Sequence, residues 1–137
     1  MSRLSTARKE LADYLGDELG IPSYPGPAPG ADLPSIHLRP NDGDDGYVSR
    51  QDDRNSFTEW MITYVARLGL VHRGEDAEIE EIDNRIAQLN EAFPVRLVVG
   101  AEVHIERILT PGTPSDGDTN YRALDVVLSV QLTGSLT

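Results

Sequence analysis

Two glutamates and a histidine alternate along one segment and form the sequence's nearest approach to a metal-binding pattern. Glu102, His104 and Glu106 are spaced two residues apart, so on a β-strand they would point to the same face. Carboxylate and imidazole groups are zinc ligands. Residues two apart on a strand are separated by about 7 Å, so three of them rarely converge on one ion. The pattern therefore favours a polar strand face that pairs across the sheet with Arg96 or Arg122.

The acidic run from Asn41 to Gly46 is partly similar to a calcium-binding loop, which has a central glycine among carboxylates. The third position of such a loop falls on Gly43 and the twelfth on Asp52, where an oxygen ligand and a glutamate are required. The favoured interpretation is a solvated acidic loop, and weak binding of a divalent cation is the alternative.

The sequence gives little support for nucleophilic catalysis or phosphate binding. The chain has three histidines, His37, His72 and His104, and no cysteine, which excludes disulfides, zinc-thiolate sites and thiol nucleophiles. No serine lies in a Gly-x-Ser-x-Gly pattern, and the glycines of segment 24–30 alternate with prolines and do not open a helix. We therefore predict a protein that is not an enzyme and that binds no cofactor and no metal.

The charge balance narrows the class of partner. The 137-residue chain has 12 basic and 23 acidic side chains, for a formal net charge of −11. Binding to a phosphate backbone depends on Lys and Arg side chains that displace counterions, so this balance argues against nucleic-acid binding. No apolar run suits a signal peptide or a membrane span. We expect one soluble domain, 1–137, with a single hydrophobic core.

Apolar residues at three- and four-residue steps predict two helices. The first has Ser5 or Thr6 as its cap and ends at Gly20. Its apolar stripe is Leu4, Ala7, Leu11, Leu15 and Leu19. The second lies between Gly74 and Phe93, with acids in its first turns, where the helix dipole favours them. Its apolar stripe is Ile79, Ile82, Ile86 and Leu89.

Alternation of apolar and polar residues predicts a short strand around Ile36 and Leu38 and three long strands. The long strands are Phe57–Leu70, Val95–Leu109 with a bulge at Gly100, and Tyr121–Leu132. Segments rich in proline, glycine or aspartate predict mobile loops at about 22–34, 41–55 and 111–120.

The element order α-β-β-α-β-β predicts an α+β fold: a mainly antiparallel four-stranded sheet with two helices on one face. The other face would show five apolar side chains among charges, which suits a contact between subunits. These side chains are Phe57, Met61, Val65, Val98 and Val127.

This organisation resembles that of tail terminator proteins of long-tailed, siphovirus-type bacteriophages. The similarity covers most of the chain: a helix over Ala7–Leu15, a proline-containing loop, a strand over Phe57–Val65, an Ile/Leu-striped helix and a closing segment Asn120–Val130. The similarity is one of element order and residue pattern and includes no diagnostic motif. Connector and stopper subunits of the same virions share parts of it.

The resemblance implies a structural protein of the virion tail or neck that is made in the host cytoplasm. It implies a homo-oligomer, a hexameric ring at the head-proximal end of the tail tube, which stops tube polymerisation and docks a head completion or connector protein. DNA would pass through without specific binding, because the acidic charge of all copies would surround the channel. No membrane is involved.

Candidate contact and channel residues follow from loop position and strand parity. The candidates for ring and partner contacts are Tyr24, Tyr47, Arg50, Arg54, Phe57, Met61 and Tyr121. The candidates for channel acids are Asp42, Asp44, Asp45, Glu78 and Glu81.

Three other assignments stay open. The first is another neck or tail component: a head-tail connector, a stopper or a minor tail subunit. The second is a small acidic binding protein or inhibitor that mimics nucleic acid and has a tight basic partner. The third is an enzyme, which would need a metal or cofactor that co-purifies.

Overall fold

The structure, a computed structural model, describes residues 2–28, 30–43, 46–52, 58–72, 74–111, 115–116 and 119–137. The described residues form helices α1 (Arg3–Leu19) and α2 (Glu75–Ala92). Their strands are β1 (Ser23–Tyr24), β2 (Ser35–Pro40), β3 (Val48–Asp52), β4 (Thr58–Val71), β5 (Val95–Arg96), β6 (Glu102–Leu109), β7 (Ser115–Asp116) and β8 (Thr119–Thr133). Within this part of the chain, no helix is both long and apolar enough to cross a membrane.

The two longest strands, β4 and β8, pair with each other at the centre of the sheet. Their antiparallel ladder runs from Glu59 opposite Thr133 to Val71 opposite Tyr121. β6 pairs with the free edge of β8, and β5 pairs with the start of β6. On the other edge of β4, β3 covers the N-terminal half and β2 the C-terminal half. β1 runs parallel to β2, and β7 pairs only with the start of β8.

The predicted four-stranded, mainly antiparallel sheet is wrong. The structure has a seven-stranded, mixed sheet, formed by all the strands except β7, that curls into a half-barrel. Two helices and the α+β class are compatible with the prediction. The strands that were missed are short: β1 and β5 have two residues each, too few to show a period. β3 lies in the acidic segment 41–55, where polar composition predicts a loop.

The segment Val95–Leu109 is predicted as one strand and is instead a hairpin. Val95 pairs with Val103, and the N–H of Leu97 donates to the carbonyl of Ala101 at 2.8 Å. The turn requires φ of 96° at Gly100, a region that favours glycine. The ladder shifts by one residue farther along, between Ile105 and Arg107. A bulge exists in this segment, but not at Gly100.

The prediction of α1 is confirmed, with a different cap. The backbone N–H of Ser5 donates to the hydroxyl of Ser2, the N-cap, at 3.1 Å. Gly20 ends the helix in the left-handed conformation, with φ of 66°. The buried residues of α1 are Ala7, Leu11, Ala12, Leu15 and Leu19.

The prediction of α2 as a helix is confirmed, but its buried face is rotated from the predicted stripe. Ile82 and Leu89 are buried, whereas Ile79 is 47% exposed. Glu78 lies in the interior instead, with 1% exposure. Contacts with the imidazole of His72 and the guanidinium of Arg122 hold Glu78 there, so apolar burial alone does not set the rotation of this helix.

The hydrophobic core lies between the helices and the even-numbered residues of β4 and β8. These strand residues are Ile62, Tyr64, Ala66, Leu68, Leu70, Leu124, Val126, Leu128, Val130 and Leu132. On the odd-numbered side, Val65 and Val127 are buried but lie outside this core cluster. Val98 is 98% exposed in the turn before β6, and Phe57 lies outside the described residues. The apolar patch predicted on that side is therefore already covered in part within one chain.

Replacing Gly100 by Ala should lower the free energy of unfolding by about 1–3 kcal/mol, because a side chain disfavours this backbone conformation. Space is not the obstacle, since the nearest atom to an added Cβ, Nη2 of Arg3, is 3.9 Å away. Gly26→Ala is the matched control, with nothing within 4 Å and no positive φ, and should change stability by less than about 0.5 kcal/mol. Urea denaturation measures both variants, and equal effects would contradict the expectation.

Candidate interaction face

The side of the sheet opposite the core, called here the outer face, is built from the odd-numbered residues of β4 and β8 and their partners in β2 and β6. Cross-strand register arranges these residues in rows. One row consists of His37, Arg67, Asp125 and Leu109. The next row consists of Arg39, Val65, Val127 and Arg107. Partners in such rows lie close enough to interact directly.

A bidentate ion pair lies at the centre of the outer face. Arg67 donates from Nε to Oδ1 of Asp125 at 2.8 Å and from Nη2 to Oδ2 at 2.9 Å. The Asp125 side chain is only 7% exposed. Because little water reaches it, each charge of the pair is stabilised mainly by the other. The hydrogen bonds with Asp125 raise the pKa of Arg67 against the lowering effect of burial, and Tyr121 adds to the rise. The pair joins β4 to β8, and its guanidinium stays charged at any ordinary pH.

A second arginine approaches the same carboxylate. Nη2 of Arg39 lies 3.5 Å from Oδ2 of Asp125, which already accepts a bond from Arg67. Two guanidinium groups therefore share one carboxylate. This part of the outer face is locally cationic in a chain whose net charge is −11.

His37 sits beside these charges and contributes little positive charge at neutral pH. Burial lowers the pKa of His37, and the neighbouring Arg67 and Arg39 lower it further, against the opposing effect of Asp125. The imidazole is therefore neutral above its ordinary pKa of about 6.5 and remains so somewhat below it.

The valine pair in the second row is buried although it lies outside the core. Val65 and Val127 face each other, with Arg39 beside one and Arg107 beside the other. Arginine can cover apolar surface with its aliphatic stem while its guanidinium remains at the surface. The outer face thus presents charge where sequence parity predicts an apolar patch.

A buried carboxylate fixes α2 to the sheet at another position. Glu78 contacts Nδ1 of His72, just after β4, and its Oε2 lies 3.5 Å from Nε of Arg122 on β8. A carboxylate next to an imidazole can take part in proton transfer. Here Arg122 pairs with the same carboxylate, and the contacts join three elements, so the arrangement serves to anchor the helix.

Exposed acids follow one side of α2 and are called here the acidic stripe: Asp76, Glu80, Asp83 and Glu91. At 3.6 residues per turn these positions fall within about 80° of one another. Arg85 points elsewhere, because its Nη1 donates to the carbonyl of Leu19 at 2.8 Å. The stripe lies on the solvent side of a helix whose other side packs on the core.

The predicted contact aromatics are half-buried. Tyr24 lies in β1 opposite His37. Tyr47 packs edge-on against Tyr64, with 5.5 Å between ring centroids, and the two hydroxyls are 3.2 Å apart. Tyr121 lies over Gly69 on the outer face. Tyr47 therefore has a role in core packing that its predicted loop position did not indicate.

The other predicted contact residues are spread over the sheet. Arg50 is exposed on β3, with its guanidinium carbon 5.9 Å from the ring centroid of Trp60. Met61 is half-buried opposite Ser49 and Gln131. Two further candidates, Arg54 and Phe57, lie outside the described residues.

The predicted channel acids occupy different environments. Asp42 is exposed after β2, and Glu81 is half-buried on α2. Glu78 is buried, which is not the solvent-facing position that the prediction assigned to it. Asp44 and Asp45 lie outside the described residues.

The alternating residues of β6 do not converge. Glu102 and His104 share the outer face, but the ladder shifts at Glu106. In the part of the chain that the structure describes, no three His, Asp or Glu side chains are grouped to hold a metal ion.

The residues that organise the outer face were missed in the sequence. Arg67 and Asp125 carry opposite charges at odd positions of two predicted strands. Only the register of β4 against β8 brings them together, and two separate alternating patterns do not define that register.

Comparison with known proteins adds no relative: the sequence matches no protein-family model and no curated protein. The geometry of the sheet and of α2 is therefore the basis for a functional assignment.

Asp125→Asn should lower the free energy of unfolding by about 3 kcal/mol, because it leaves the Arg67 guanidinium without its charged partner. The matched control is Glu102→Gln, which breaks an exposed ion pair with Arg96 at 3.9 Å and should cost less than about 1 kcal/mol. Chemical denaturation measures both. If the two losses were equal, the pair of Arg67 with Asp125 would not be a stabilising contact.

His37→Gln should reduce the loss of stability that accompanies acidification. Because folding lowers the pKa of His37, the unfolded chain binds the proton first, so stability falls as the pH drops through about 6.5. Denaturation at about pH 7.5 and about pH 5.5 should show a smaller difference for the variant than for the parent. The same difference in both proteins would show that His37 does not contribute.

Proposed function

We propose that this protein is a structural tail terminator of a long-tailed bacteriophage, a subunit of a hexameric ring at the head-proximal end of the tail tube. In that position it stops tube polymerisation and joins the tail to head completion proteins. The observation that carries the proposal is the one-sided layering of the fold: α1 and α2 pack on the even-numbered face, and the outer face bears ordered charged side chains.

The chemistry of the outer face supports binding over catalysis. Arg67 and Asp125 satisfy each other through two hydrogen bonds, and a guanidinium does not exchange protons at neutral pH. Charged groups held in fixed positions on a sheet instead favour recognition of a complementary surface. The buried contacts of Glu78 hold α2 against the sheet and keep its exposed side in a fixed orientation.

The distribution of acids supports passage of DNA without binding. A ring of copies, each with a formal charge of −11, has a strongly electronegative surface overall. Phosphate groups would be repelled from such a wall. Exposed acids on both helices contribute to it, including Asp13 and Asp17 on α1 and Glu80 on α2.

The long central strands support a rigid subunit. β4 has 14 residues and β8 has 15, and their ladder runs nearly the full length of both. A ring that ends a tube must keep its shape against the tube tip, and a long antiparallel ladder with a covered core resists bending. β1 to β3 on one edge and β5 and β6 on the other widen this platform.

Light scattering and negative-stain microscopy of the purified protein, alone and with the tail tube protein, test the proposal. We expect ring-shaped particles with the mass of a hexamer, and tubes that stop growing when the protein is added. An unrelated protein with a similar net negative charge is the control for nonspecific charge effects on tube growth.

Other outcomes separate the alternatives. Rings that bind only the portal side of the neck would identify a connector instead. A stable monomer or dimer that ignores the tube and binds a basic partner tightly would identify an acidic inhibitor. Either result would overturn the terminator assignment.

A further inference from the structure

We propose that the contact between neighbouring copies in the ring is electrostatic and head-to-tail: the outer face of one copy binds the acidic stripe of α2 of the next. On the outer face the main contacts are Arg39 and Arg107, and on the helix they are Asp76, Glu80 and Asp83. This inference rests on the proposed function and names the surfaces that build its ring.

The outer face carries arginine side chains that can contact acids of another copy. Arg39 and Arg67 share the single carboxylate of Asp125, which leaves one positive charge in excess, and Arg107, which also has an interaction within the chain, lies in the row of Arg39. Nε of Arg39 is buried without a hydrogen-bond partner, so this guanidinium is incompletely satisfied within the chain. Its side chain is 36% exposed, so the exposed part of the guanidinium can pair with a carboxylate from another copy.

The acidic stripe is a matching surface. Its four residues, Asp76, Glu80, Asp83 and Glu91, are all acidic and all exposed. Asp76 and Asp83 are separated by about 10 Å along the helix, and Asp76 and Glu91 by about 22 Å. Arg39 and Arg107 lie three strand spacings apart, about 14 Å. The full stripe from Asp76 to Glu91 is therefore longer than the distance between the two arginines.

Exposed apolar side chains lie beside both surfaces. Leu109 is 47% exposed in the row of Asp125 on the outer face, and Ile79 is 47% exposed next to the acidic stripe on α2. They are two of the four large apolar residues that are exposed among the described residues. Isolated apolar side chains next to complementary charges are typical of the centre of an interface.

The two surfaces lie on opposite sides of the subunit. The helices pack on the even-numbered residues of the sheet, and the outer face is formed by the odd-numbered ones. A contact between two different surfaces repeats from copy to copy and closes into a ring when the rotation permits. A two-fold dimer would instead require the same surface from both copies.

Paired charge reversals test the contact. The face variant carries Arg39→Glu and Arg107→Glu, and the helix variant carries Glu80→Arg and Asp83→Arg. Each variant alone should lose the ring, with self-association weakened more than about tenfold, because like charges then face each other. An equal mixture should form rings again, since each reversed surface meets its reversed partner. Light scattering and negative-stain images measure all samples.

The control variant carries Asp13→Arg and Asp17→Arg, two exposed acids on α1, and so has the same change in net charge as the helix variant. It should keep the ring. Thermal denaturation verifies that each variant is folded. If Arg39→Glu lowers stability because of its neighbour Asp125, Arg107→Glu alone tests the face. High salt, about 1 M, should also dissociate the parent ring.

The possible outcomes distinguish a failure of this contact from a failure of the proposed function. Rings that persist in both variants would overturn this contact but leave the terminator assignment intact, since ring formation and tube binding would survive. Folded variants that fail to form rings when mixed would also overturn the charge match. A parent protein that stays monomeric even with the tail tube would overturn the proposed function and this inference together.

Discussion

The pairing of β4 with β8 is the constraint on which the rest of the structure depends. Its register decides both faces at once: even-numbered residues meet the helices, and odd-numbered residues bring Arg67 opposite Asp125. A slip of one strand by one residue would turn its apolar residues away from the core and separate the ion pair. The bidentate contact therefore does more than add stability, because it distinguishes the native register from its neighbours.

The two helices use this ladder differently. α1 is bound through apolar contact, with a hydroxyl cap at one end and a left-handed glycine at the other. α2 adds an ionic anchor, since Glu78 reaches both the end of β4 and the start of β8. That anchor fixes the rotation of α2 about its axis, and so determines which side of the helix shows acids to solvent. The set of side chains that α2 exposes is thus determined by a contact in the interior.

Long periodic segments were predictable from the sequence. Short strands and the rotation of α2 about its axis were not. The stripes of α1 and α2 and the alternation of β4 and β8 extend over enough residues to identify each element. β1 and β5 have two residues each, and their pairing depends on neighbours distant in sequence. Glu78 and the outer-face arginines depend on register and rotation, which arise only when elements pack. The sequence therefore identifies the long elements but does not locate the charged outer face.

The bulge in β6 affects how readily the folded chain can aggregate through its open strand edge. Among the described residues, only Glu102 and Val103 of this strand have a partner on the side away from β8. An open strand edge is a template on which chains can stack into fibres. Here the ladder is interrupted next to the charged side chains of Glu106 and Arg107, which makes a continuous strand-to-strand addition unfavourable. The interrupted edge thus protects the folded chain against strand-by-strand aggregation.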